Sequence, residues 1–166
     1  MKRVLWHSAF WLVYLLQDTV LEFVWVAPAL KNIPDDVQFW LAFKAAVAAV
    51  IPKLLFTYYA LYVPLRQIVK GQGKLYVTIA QVAAAIIITI IIYRAIFVYY
   101  ITPVIYQGLL TKRPLLNLLG VLLAVMDIGF VSGVAIALKL LRIQLAARER
   151  EKNLICLLYT SPSPRD

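Results

Sequence analysis

Long apolar runs alternate along this chain with short polar interruptions, and the runs are too long to be strands of a soluble sheet. They cover about residues 4–26, 38–65, 75–101 and 115–141. A bilayer's hydrocarbon core takes about 20 helical residues, so each run predicts a membrane-crossing helix. The third contains AAAIIITIII and is rich in Ile and Val. Such residues favour strands, but the length decides for a helix. The first interruption, APALKNIPDD, holds Pro28 and Pro34, which break helix, and Asp35 or Asp36, suited to capping the next one. The second, RQIVKGQGK, is short and basic; the third is an interfacial loop, VIYQGLLTKRP, after Thr102 and Pro103. Pro114 is expected in the first turn of the fourth span, and Pro52 is expected to kink the second. The fourth run meets no Pro or Gly between Gly133 and Glu151. It should therefore leave the membrane as one rod, because its backbone hydrogen bonds couple both ends. The expected fold class is all-α, an integral membrane four-helix bundle whose last helix extends into the cytoplasm over residues 142–155.

Composition strengthens this reading. The chain is 63% hydrophobic, where soluble domains average roughly 45–50%, and its mean hydropathy is +0.83. The formal net charge is +9, but the basic residues flank or interrupt apolar runs. The partner this implies is the anionic face of the lipid bilayer, with no nucleic acid. Lys2 and Arg3, then Arg66, Lys70 and Lys74, then the tail beyond Lys139 fall on one side. Only Lys31, Lys112 and Arg113 fall on the other. That asymmetry predicts both termini in the cytoplasm, N-in and C-in. Trp6, Trp11, Tyr14 and Trp25 sit near the ends of the first span as candidate interfacial anchors. The first run is too long for a signal peptide and lacks a small-residue cleavage site. A single cysteine, Cys156, excludes an internal disulfide and a Cys-based metal site. No phosphate-binding loop, nucleophile motif or zinc spacing is present, so no catalytic, cofactor-binding or metal residue is assigned. His7, the only histidine, beside Trp6, reads as interface decoration.

Ionisable residues inside the spans are the candidate chemistry. Asp18, Glu22 and Asp127 balance Lys44, Lys53 and Arg94 in formal charge. A lone charge at the centre of a spanning helix costs about 2.5–3.5 kcal/mol, so pairing is expected. Counting inward at ~1.5 Å per residue places Asp127 about 18 Å deep and Lys53 about 22 Å deep. That depth makes them natural partners. Glu22, Asp18, Lys44 and Arg94 belong to the outer half and form a second expected cluster. Three uses stay open: ion pairs that only hold the bundle together, an outward-facing polar pocket that senses a stimulus, and a proton or ion pathway. Gly129, Gly133 and Ala137 repeat every four residues, a small-residue face suited to close helix approach within the bundle or across a dimer. Leu138, Leu141 and Leu145 then begin a coiled-coil seam.

The order of several patterns carries a resemblance. IPKLLFTYYALYVPLRQIVKGQGK is followed by an apolar span, then YRAIFVYYITPVIYQG, then MDIGFVSGVAIALKLLRIQ and a charged helix, with WHSAFWLVYLL at the start. From about residue 6 to residue 154 this is similar to the N-terminal membrane region of the LytS/YehU-like sensor histidine kinases common in Bacteroidetes. The resemblance implies a bacterial inner-membrane, multi-pass sensor domain feeding a two-component phosphorelay. It also implies a homodimer whose helical linker leads to a phosphoacceptor-histidine domain and an ATP-binding domain. The response regulator would be of LytTR type. ATP and magnesium would belong to that kinase core, leaving no cofactor in residues 1–155. His7 does not match the phosphoacceptor, so no family catalytic residue maps onto this chain. The alternative is a complete small four-helix membrane protein, such as a transporter or channel subunit. Residues 156–166, CLLYTSPSPRD, depart abruptly in composition and resemble the translation of a sequencing adaptor. The expectation is a truncated fragment whose natural sequence stops near Leu154 or Ile155.

Overall fold

A computed structural model describes residues 2–70, 74–110 and 114–160, and in those residues the chain is helical with no strand. Helix α1 spans Lys2–Val26 and α2 spans Asp35–Tyr62; a short α3, Pro64–Lys70, precedes α4, Leu75–Ile96. Wide, π-type turns continue α4 over Phe97–Ile105, and α5 runs Leu118–Thr160. Four of these helices are long and apolar enough to cross a membrane. Lys112, Arg113 and residues 161–166 lie outside the described residues, as do Gly71 and Gly73 of the basic stretch RQIVKGQGK.

Helix α2 is the central element, packed against α1, α4 and α5. Its inward face explains why. Ala42, Ala45, Ala46, Ala49, Lys53, Phe56, Thr57 and Ala60 are buried at steps of three and four residues. The alanines let neighbouring backbones approach closely, as small residues do where helices meet without a hydrophobic driving force. Asp35 and Asp36 sit in the first turn of α2, where the helix dipole favours acids, but Pro34 is the cap residue and no side chain caps the end. The buried Gln38 holds the preceding loop instead, its amide donating to the carbonyls of Leu30 (3.0 Å) and Ile33 (2.7 Å). Pro52 lies buried inside α2, which continues past it to Tyr62; the chain turns only at Val63, ahead of Pro64.

The third span also differs from its expected end at residue 101. The helical path persists to Ile105 with Pro103 inside it. A proline in an α-turn loses a hydrogen bond and crowds the carbonyl four residues back. Widening the turns relieves the crowding. The Tyr106 amide reaches back five residues to the Ile101 carbonyl at 3.0 Å, and the Thr102 hydroxyl donates to the Phe97 carbonyl at 2.9 Å. The segment closes through Gln107 and Gly108, both with positive φ (49° and 77°). Pro114 belongs to a turn before α5, not to its first turn: the Asn117 amide donates to the Pro114 carbonyl, and the helix starts at Leu118.

The burial pattern is inverted relative to a soluble bundle. Lys53, Thr19, Thr57, Arg94 and Ser132 are buried, while Leu12, Leu16, Val20, Ile51, Leu55, Ile87, Ile88 and Met126 face outward. An aqueous surface of that composition would be an association hazard.

Candidate functional site

Five polar or aromatic residues of α1 share one face. His7, Trp11, Tyr14, Asp18 and Glu22 are separated by four, three, four and four residues, the spacing of a single helical stripe. That stripe faces α2 and is met there by Lys53 and Tyr58.

At its middle the Lys53 ammonium has no solvent exposure and lies 2.8 Å from Asp18 Oδ2 and 2.5 Å from Asp127 Oδ2. One ammonium thus joins α1, α2 and α5. The rings of Tyr14 and Tyr93 each stand 5.3 Å from it. Their hydroxyls donate to the two oxygens of Asp127, Tyr14 at 2.8 Å and Tyr93 at 3.2 Å. All four long helices therefore contribute to one cluster. Lysine suits the centre because its compact charge offers three donors, two of which this geometry assigns to carboxylates. One turn further along α1, Glu22 accepts a 2.8 Å bond from the hydroxyl of Tyr106, a side chain with no exposure. Between Asp18 and Glu22 lies a cavity of about 10 Å³, roughly the room one water needs.

Lys53 and Asp127 meet, as their depths suggested. The second expected cluster does not assemble. Asp18 lies one turn nearer the middle than Glu22 and joins Lys53 instead. Glu22 finds a tyrosine. Lys44 is exposed, because it shares the outward face of α2 with Val47, Ile51 and Leu55 at three- and four-residue steps. Arg94 is buried, and its Nε and Nη2 donate at 3.0 Å to the carbonyls of Leu115 and Pro114, while its guanidinium stands 5.9 Å from the Phe97 ring. It packs on Gly120, where an added Cβ would collide with the guanidinium. Arg94 thus locks the turn before α5 onto α4.

The small-residue face of α5 takes no part in the bundle. Gly129, Gly133 and Ala137 are exposed, and a Cβ placed on either glycine would meet open space. Tyr14, expected at an interface, is buried and serves Asp127; Trp6 and Trp25 remain exposed. Sequence reasoning missed Tyr14, Tyr93 and Tyr106 as partners of the acids. The signal for Tyr14 was its position one turn from Asp18 on the same face. Tyr93 and Tyr106 reach their acids only through tertiary packing. Among the described residues, no three His, Cys, Asp or Glu side chains gather as a metal site. Compared with family models, curated proteins and solved structures, the chain has no significant match in any of the three.

Proposed function

We propose that this chain is the membrane input module of a two-component sensor histidine kinase. In this reading the four long helices cross the bacterial inner membrane with both termini in the cytoplasm, and a homodimer passes a stimulus through α5 to a kinase core and a LytTR-type response regulator. One observation carries the reading: Asp127, held by Lys53 and two tyrosines, lies on the same unbroken 43-residue helix as the charged segment beyond Lys139. A change in the cluster is thereby a change in the position of α5. Packed interiors respond to such shifts by moving whole elements, since they deform poorly. The inverted burial pattern supports insertion, because a bilayer accepts the exposed Leu, Ile and Val and repels the buried charges.

The test joins residues 1–155 to a soluble histidine kinase core and measures autophosphorylation in reconstituted vesicles. The expected result is that Asp127→Asn changes the rate at least about threefold, the effect of moving a two-state balance by under 1 kcal/mol. Equal rates at equal protein levels, together with solute flux through vesicles holding residues 1–155 alone, would favour the transporter alternative.

A further inference from the structure

A second cavity opens at the other end of the polar stripe, where α1 begins and α5 leaves the bundle. Its volume is about 250 Å³, and its walls come from α1, α2 and α5. This is below the roughly 300–1,000 Å³ of sites that enclose a drug-sized ligand, so it has room for part of a larger molecule. The walls are aromatic on the α1 and α2 sides and basic on the α5 side, where Lys139 and Arg142 face in, and no Asp or Glu lines it.

Three details indicate what the space takes. Lys139 donates one bond, at 2.6 Å, to the Leu61 carbonyl and stands 4.6 Å over the Tyr62 ring. An ammonium has three donors, so Lys139 is anchored at the end of α2 with donor capacity to spare. Next, Thr57 is one of the residues lining the cavity, and its hydroxyl is buried without a hydrogen-bond partner. This sets it apart from Thr19, Thr89 and Ser132, whose buried hydroxyls donate to carbonyls four residues back. A buried hydroxyl left without a partner keeps its full desolvation penalty, which a bound acceptor would relieve. Finally, Tyr58 is held by its neighbours, accepting from Trp11 Nε1 at 3.3 Å and lying 3.4 Å from His7 Nδ1. The aromatic wall is set before anything binds.

We propose that this cavity binds the headgroup of an acidic phospholipid from the leaflet on the side of the termini. Its phosphate lies against Lys139 and Arg142, and Thr57 donates to an oxygen of the headgroup. Its glycerol and upper acyl chains follow the aromatic wall to the exposed apolar surface at Leu5 and Trp6. The size favours a headgroup over a whole ligand, and the aromatic exit suits a molecule with acyl chains more than a free anion. The inference rests on the membrane-spanning reading above, but not on the kinase assignment. Because Lys139 and Arg142 lie where α5 departs, a bound headgroup would brace that helix against α1 and α2.

The experiment uses the full chain with Trp25→Phe and Trp40→Phe, leaving Trp6 and Trp11 as reporters at this end. It is reconstituted in phosphatidylcholine vesicles, or in an equimolar mixture of phosphatidylcholine and phosphatidylglycerol. Brominated acyl chains are placed on one lipid or the other to quench tryptophan. The expected result is preferential quenching by brominated phosphatidylglycerol, with a relative affinity roughly tenfold or more over phosphatidylcholine, at about fivefold per cation. Lys139→Gln with Arg142→Gln should abolish the preference, and Thr57→Val should weaken it two- to fivefold with no change in charge. Arg148→Gln with Arg150→Gln should leave it intact. Equal quenching by the two lipids overturns the proposal while the spanning reading stands; no quenching by either overturns both. Loss of preference in the Arg148/Arg150 variant would make it diffuse surface attraction. Displacement of the lipid by inorganic phosphate would make the site one for soluble anions. Either result overturns the proposal.

Discussion

Lys53 and Arg94 are both basic side chains buried among apolar helices, and the bundle satisfies them in different ways. Lys53 draws two carboxylates and two tyrosine rings from α1, α4 and α5. Arg94 uses two donors on successive backbone carbonyls, Pro114 and Leu115, about 20 residues along the chain. The chemistry of the two side chains suits this division. A compact ammonium can be surrounded, whereas a planar guanidinium presents a fork that matches two neighbouring carbonyls. The difference separates two tasks. Lys53 decides how the helices sit relative to one another, while Arg94 decides how the chain enters α5. A site meant to respond to a stimulus belongs with the first, since its partners lie on separate elements that can move apart.

Removing the lysine is the strongest way to break this comparison. Lys53→Met leaves two part-buried carboxylates without their cation and should cost up to about 3–5 kcal/mol, read as a fall in the unfolding midpoint in detergent. Adding Asp18→Asn and Asp127→Asn should recover most of the loss, because an uncharged core of similar volume is often as stable as a buried ion pair. A loss below about 1 kcal/mol in the single variant would show that charge pairing does not organise the bundle.

Arg94→Gln should have a smaller effect, about 1–3 kcal/mol for charge-assisted bonds to carbonyls, and a local one. Hydrogen exchange should rise at residues 114–121 while amides around Lys53 keep their protection. Spread of the exchange to α1 would mean that the two sites are coupled and the division of tasks is wrong.

The smallest effect is expected at the outward small-residue face. Gly129→Leu and Gly133→Leu meet open space, so stability should hold or rise by less than about 1 kcal/mol each as the helix loses a poor former. Self-association, followed by energy transfer between labelled copies in vesicles, should fall if a second copy packs on this face. A large loss of stability would instead place these glycines inside the bundle.

Much of the architecture was legible because its cause is local. Helix length follows from run length, and the polar stripe on α1 is visible as a repeat of three and four. The deviations arise where the backbone solves a problem that no local pattern announces. Pro103 is carried by wide turns instead of ending its helix, and Asn117 and Leu118 open α5 four residues later than Pro114 suggests. The partners of the charges were half legible. Depth correctly brought Lys53 to Asp127 but sent Lys44 and Arg94 to the wrong place, because depth says nothing about which way a side chain faces.

By itself, then, the sequence determined that there are four apolar helices of bilayer length, that their few charges need partners, and that the last helix runs on into a charged segment. Each follows from hydropathy, from the cost of a buried charge, and from the lack of a helix breaker. Tertiary structure alone decided that Asp18 and Asp127 share one lysine, that Tyr14, Tyr93 and Tyr106 serve the acids, that Arg94 holds a turn, and that Gly129 and Gly133 face outward. A residue's height along its helix is set by counting, at ~1.5 Å per step. Its azimuth toward a neighbour is set by how the helices rotate and pack, and that depends on every contact at once.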